Sequence, residues 1–237
     1  MKQVTIQAAS YLAGDGHGND RTGLRPWPSQ LAGPLSRGAL SDLHWSLLFA
    51  SDPSRFGRMD LMSRLGLMAV ELLDVGLGSL PPNRKQSVGV CLETFTGSLD
   101  TDVRFLQTPR PSLFTYTLPS MALGEVCIRY QLQGPVLCLV APEDDSDGAL
   151  AEATEWLHQG DAQACVCFRC DALDRDVAEA VFLPADALPS GWQACAMLLA
   201  LETGSAHEQP LRLGSLSAIS RRIVESARGP LQPKSGF

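Results

Sequence analysis

The stretch that decides the fold is "LFTYTLPSMALGEVCIRYQLQGPVLCLV", residues 113–140. Pro119 opens a helical pattern and Gly134 lies past its end, the usual asymmetry of helix punctuation, so the pattern predicts a helix over 119–134. "PVLCLVA" (135–141) follows, apolar without alternation, as in a strand covered on both faces. Past it come Pro142, Glu143, Asp144, Asp145, Ser146 and Asp147, then a helical pattern over 147–159. Ser146 is placed to cap that helix, and Asp147 suits its positive end. Enzymes often hold a nucleophile at such a strand–turn–helix elbow. This one is filled with carboxylates.

Outward from the elbow the same alternation continues. Residues 3–9, 87–95, 161–171 and 192–203 read as further strands. "RMDLMSRLGLMAVELLDVGL" (58–77) is the clearest helix: Asp60 caps it, Leu61, Leu65, Met68 and Leu72 form a stripe, and Met62, Ala69 and Leu73 widen it. Gly76 is placed to end it in the left-handed conformation. Segments 40–50, 97–108, 173–180 and 215–226 read as helical. Residues 10–38, rich in Gly, Pro and polar side chains, read as a long loop in which "GDGHGND" (14–20) is flexible. The prediction is an α/β chain: a mainly parallel five-stranded sheet with helices on both faces, one domain over 1–226 and a frayed tail over 227–237.

Composition narrows the function classes. The chain has 237 residues, 45% hydrophobic and 19% charged, with a net charge of −7. No basic cluster exceeds a pair such as Arg221–Arg222, which argues against nucleic acid and anionic membranes. No run reaches the roughly 18–20 apolar residues of a membrane span, and a cytoplasmic protein is expected. Seven cysteines show no zinc spacing, and Cys165 and Cys167 share one face of a buried strand. No cofactor is expected. The acidic run 143–147 lacks the spacing of a calcium loop; a divalent-metal site, a solvated or helix-capping turn, and a carboxylate at a subunit interface stay open for it.

Five blocks in this order resemble the β-ketoacyl synthase family, the thiolase-fold condensing enzymes. They are residues 58–77, "SVGVCLETFTGSLDTDVRFLQ" (87–107), residues 113–140, "QACVCFRCDAL" (163–173) and "WQACAMLLALET" (192–203). The resemblance covers roughly 1–215 and implies the N-terminal half of that fold. Counting from Gly134–Pro135, the family's catalytic cysteine falls on Glu143. A thioester needs a thiolate, and a carboxylate there would have to form a labile anhydride. The family's two histidine motifs would follow about where this chain ends, and His17, His44, His158 and His207 lie in other contexts.

The resemblance therefore implies a non-catalytic, chain-length-factor-like subunit paired with a full-length ketosynthase, the acyl carrier protein docking on that partner. It places the tunnel gate at Leu99, Asp102 and Leu106, with Phe105 adjacent; an interface helix without a gating role is the plainer reading of 97–108. A lone half of this fold is expected to leave its central helices uncovered on one side. Malonyl decarboxylation or hydrolysis at Glu143, and a self-associating scaffold, are the alternatives.

Overall fold

A computed structural model of the chain describes residues 2–36, 43–50, 53, 55–141, 147–173, 192–202, 209–210 and 216–227. The five expected strands are all present: β1 (Val4–Ala13), β4 (Val88–Thr94), β5 (Val136–Val140), β6 (Ala164–Asp171) and β7 (Gln193–Leu201). They lie side by side in the order β1-β7-β6-β4-β5. β5, β4 and β6 are parallel, whereas β7 runs antiparallel to both β6 and β1. Four of the five thus point one way, and β7 is the exception. An apolar strand buried on both faces looks the same in sequence whichever way it runs.

The long loop expected over 10–38 is instead largely sheet. β1 continues to Ala13, and β2 (Gly16–Asn19) and β3 (Gly23–Arg25) fold back as antiparallel strands, followed by helix α1 (Ser29–Ser36). The glycines serve close approach rather than flexibility: a Cβ on Gly18 would stand 2.0 Å from the Gly23 carbonyl oxygen. Gln209–Pro210 forms β8, a short strand also paired with β1. Over 40–50 the described structure is a single 3₁₀ turn, Trp45–Leu47. Of the helix expected over 173–180, residues from 174 onward lie outside the described residues, as does most of the tail.

Helices cover both faces. On one side lie α2 (Leu61–Leu72) and α6 (Ser120–Tyr130); between them in sequence come α3 (Pro82–Lys85), α4 (Leu99–Gln107) and α5 (Pro111–Phe114). On the other side lie α7 (Gly148–Gln159) and α8 (Leu216–Ser226). Asp60 caps α2 as expected, accepting from the Ser63 amide at 3.0 Å. That helix ends at Leu72, four residues before Gly76, because Asp74 already turns left-handed at φ 51°. α2 is not the uncovered element: Leu65, Leu67, Met68 and Leu73 are fully buried in a cluster closed by Leu43, Phe49, Phe56 and Met59 of the preceding segment. Among the described residues no helix is long and apolar enough to cross a membrane.

Gly134 sets the junction of α6 and β5. A Cβ there would lie 2.3 Å from the Val88 carbonyl oxygen at the start of β4. Gly134→Ala is therefore expected to destabilise the chain by about 1–3 kcal/mol, read from its urea midpoint. A midpoint within error of the parent would contradict that packing.

Candidate functional site

The carboxyl ends of the parallel strands β4, β5 and β6 meet at one edge of the sheet, where open α/β sheets place their chemistry. β4 runs into the Phe95–Ser98 turn and α4; β5 runs toward α7. Glu143, with the rest of 142–146, lies outside the described residues, and so does Ser146 as the expected cap. Asp147 is the N-cap residue of α7 and makes no side-chain capping bond.

At these strand ends sits a cluster of charges that the sequence reading passed over. Glu93 on β4 and Arg169 on β6 are directly opposite in register. Both are buried, at 1% and 0% exposure, and so is Asp171 at the end of β6. Arg169 donates Nη1 to Glu93 Oε1 at 3.4 Å and Nε to Asp171 Oδ2 at 2.7 Å. The other oxygen of each carboxylate holds a turn. Glu93 Oε2 accepts from the Ala149 amide of α7 at 3.0 Å. Asp171 Oδ1 accepts from Thr94 Oγ1, the Phe95 amide and the Thr96 amide at 3.0, 2.6 and 3.0 Å. One buried guanidinium thus ties β6 to the turn after β4 and to the start of α7. A charge buried this deeply persists only when paired and hydrogen-bonded. The signal for it was present: an acid, a base and an acid inside the apolar runs "VGVCLET" and "ACVCFRCD".

The four candidate gating positions fall on α4. Leu99, Asp102 and Phe105 are half-buried, and Leu106 is 79% exposed. Asp102 accepts from Ser98 Oγ at 3.0 Å, and the Phe105 ring faces Phe114 of α5 at 5.6 Å. Spacings of three and seven residues put Leu99, Asp102 and Leu106 along one side of the helix. Asp100 and Asp102 in its first turn suit its positive end.

No described imidazole stands in this cluster. His17 stacks on Trp27 at 4.3 Å, His44 caps the Trp45 turn, and His158 lies in the last turn of α7, away from its amino end. His207 lies outside the described residues. The thiols are not set up as nucleophiles by a helix end or a cation. Burial pushes the Cys165 and Cys195 thiols up to about 12 and Cys127 to about 11, and raises Cys138 in mid-β5. Native protein at pH 8 is therefore expected to show no fast-reacting thiol toward a disulfide reagent, and all seven after unfolding. A thiol that reacts within seconds in the native chain would contradict this. Among the described residues no three His, Cys, Asp or Glu side chains group to hold a metal. A cleft of about 350 Å³, lined by Glu71, Asp74, Arg129 and Tyr130 among others, lies where α2 and α6 end. α6 leads into the start of β5, so the cleft is at the opposite end of the sheet from the charge cluster.

Six large apolar side chains among the described residues stand exposed. Leu106, Phe114, Leu118, Ile128, Val136 and Val140 are 79, 64, 61, 57, 54 and 60% exposed. They belong to α4, α5, the turn before α6, α6, and β5. Among the described residues β5 is the terminal strand of the sheet, bonded to β4 on one side only.

Residues 16–190 match the family model of the β-ketoacyl synthase N-terminal domain. Three solved structures share the fold. One is a ketosynthase in complex with its chain length factor from Xenorhabdus doucetiae: 16% identity over 97% of this chain and 92% of that chain, TM-score 0.59. Another is the ishigamide ketosynthase/chain length factor: 16% identity, 88% and 64% covered, TM-score 0.58. The third is a type II polyketide synthase acyl carrier protein in complex with its ketosynthase: 16% identity, 85% and 63% covered, TM-score 0.55. The chain thus spans less than two thirds of the last two and nearly all of the first. No curated relative matches it.

Proposed function

We propose, on the premise that this chain belongs to the β-ketoacyl synthase N-terminal domain family, that it is a non-catalytic, chain-length-factor-like subunit. Its partner is a full-length β-ketoacyl-carrier-protein synthase of type II polyketide, aryl-polyene or fatty-acid-like biosynthesis. The observation that carries this reading is the flank at β5. A strand edge offers a row of unpaired N–H and C=O groups, and soluble proteins usually blunt it with charge, proline or a cover. β5 reads VLCLV, with no charge and no proline, and its Val136 and Val140 are more than half exposed. Further apolar side chains are exposed on α6, which packs beside β5, and on α4 and α5, which pack on each other, and clustered exposed apolar residues mark an interaction surface. The ketosynthase and chain length factor complexes of the same fold support the identity of the partner.

The non-catalytic half of the reading rests on chemistry. By the count from Gly134–Pro135, Glu143 takes the place of the family's cysteine, and burial raises the pKa of the Cys127, Cys138, Cys165 and Cys195 thiols. In the complex, Leu99, Asp102, Phe105 and Leu106 of α4 face the partner and limit its acyl tunnel. The carrier protein docks on the ketosynthase. Co-expression with each full-length ketosynthase of the same genome, followed by chromatography with light scattering, tests the pairing. A one-to-one complex is expected; a homodimer indifferent to the ketosynthase would favour a scaffold instead.

A further inference from the structure

α4 is seated differently from the long helices on the two faces of the sheet. α2 and α6 contribute to one apolar cluster of the described residues and α7 and α8 to the other, whereas no residue of α4 belongs to either. Its buried side chains are Asp100, Thr101 and Val103, two of them polar. Apolar contact is non-directional, but a hydrogen bond fixes distance and angle. Such bonds set α4 on the body. At its start, Ser98 Oγ donates to the Thr117 carbonyl at 2.7 Å. Further along, Thr101 Oγ1 donates to Asp60 Oδ2 at 3.1 Å, across 41 residues of sequence. A helical threonine often turns its hydroxyl back onto its own helix; this one reaches another. The same carboxylate caps α2, its Oδ1 accepting from the Ser63 amide. Asp60 thus joins the amino end of α2, whose Leu65, Leu67 and Met68 are fully buried, to the inner side of α4. At about 3.6 residues per turn, Thr101 lies on the far side of α4 from Leu99, Asp102 and Leu106. Burial agrees: Thr101 is 2% exposed and Leu106 79%.

We propose that Asp60 and Thr101 are a positioning pair: their hydrogen bond fixes α4 against α2 and so sets how far Leu99, Asp102 and Leu106 reach into the partner's acyl tunnel. This rests on reading α4 as the tunnel gate. It adds a determinant of chain length that touches no acyl group and acts through the helix that does.

Substitutions on both sides of the bond test it. Thr101→Val removes the hydroxyl at nearly constant shape, and Thr101→Ser keeps it. Asp60→Ser keeps a capping oxygen for the Ser63 amide and withdraws the one that holds Thr101, so it probes the same bond if Thr101→Val fails to fold. In the chain alone, hydrogen exchange of the α4 amides is expected to quicken about fivefold in Thr101→Val and Asp60→Ser, the factor carried by one hydrogen bond, with the α2 amides unchanged. In the complex with the ketosynthase, supplied with acyl- and malonyl-loaded carrier protein, mass spectrometry of the products gives the ratio of the main chain length to its neighbours. That ratio is expected to fall by a similar factor in both variants and to be restored in Thr101→Ser. Exchange as slow as the parent's in both variants would overturn the proposal. So would quickened exchange with an unchanged product ratio, since α4 would then be loosened without effect on chain length. A parent chain that pairs with no ketosynthase would instead remove the pairing and the chain-length role with it, and the exchange alone would decide whether the bond seats α4.

Discussion

Replacing Val136 and Val140 together by lysine is expected to weaken association with the ketosynthase at least a hundredfold while leaving the chain folded. Both side chains are more than half exposed, and four residues apart on a strand they point to the same face. Exposed substitutions usually change stability by less than about 0.5 kcal/mol. In an interface the balance reverses. Each valine loses about 1.5 kcal/mol or more of burial, and each lysine adds an ammonium that must stay wet or be desolvated unpaired. A hundredfold corresponds to about 2.7 kcal/mol, less than the sum of those terms. Charged edges are also how other sheets avoid pairing. Unchanged affinity for the ketosynthase, with an unchanged melting curve, would place the interface elsewhere.

Arg169→Met carries the largest expected effect on stability. The guanidinium is fully buried between Glu93 and Asp171, and its removal leaves two neighbouring carboxylates without their cation. Breaking a buried ion pair from one side costs about 3–5 kcal/mol, against a total stability of about 5–15 kcal/mol for a domain. Surface pairs of this chain give the contrast. Arg221 with Asp15 is about half exposed on both partners, and Arg221→Met is expected to cost less than about 1 kcal/mol. Urea midpoints of the two variants measure the difference. Adding Glu93→Gln to Arg169→Met should restore part of the loss, since it removes one stranded charge. A loss below about 1 kcal/mol for Arg169→Met would mean that the cluster does not hold the two turns.

What was legible in the sequence follows from length and periodicity. The helix 61–72 announced itself through its cap and stripe, and the strands 88–94, 136–140, 164–171 and 193–201 through largely apolar runs. The hairpin over 16–25 was hidden because "GHGN" and "GLR" carry none of the β-branched residues that mark strands. Its glycines are selected by backbone crowding, which only the folded chain reveals. The direction of β7 was not encoded in its own residues, since burial on both faces erases alternation. The exposed flank was hidden for the opposite reason. "VLCLV" reads as a central strand, and only the sheet order shows it at the edge.

The site divides along the same line. The strand 136–140 and the helix 148–159 on either side of the acidic run were legible from punctuation, while the run itself, with Glu143, lies outside the described residues. The charges at the strand ends were visible as residues, but their function depends on register: Glu93 opposite Arg169, and Arg169 two residues before Asp171 on the same strand face. No local pattern pairs an acid at 93 with a base at 169. Nor could the sequence show that the amide of Ala149 is satisfied from a strand more than fifty residues earlier.

The most direct test is the intact mass of each subunit after the complex with its ketosynthase is incubated with acyl-loaded carrier protein. The acyl group is expected on the ketosynthase alone, with this chain at its unmodified mass. An acyl adduct on this chain would contradict a non-catalytic subunit.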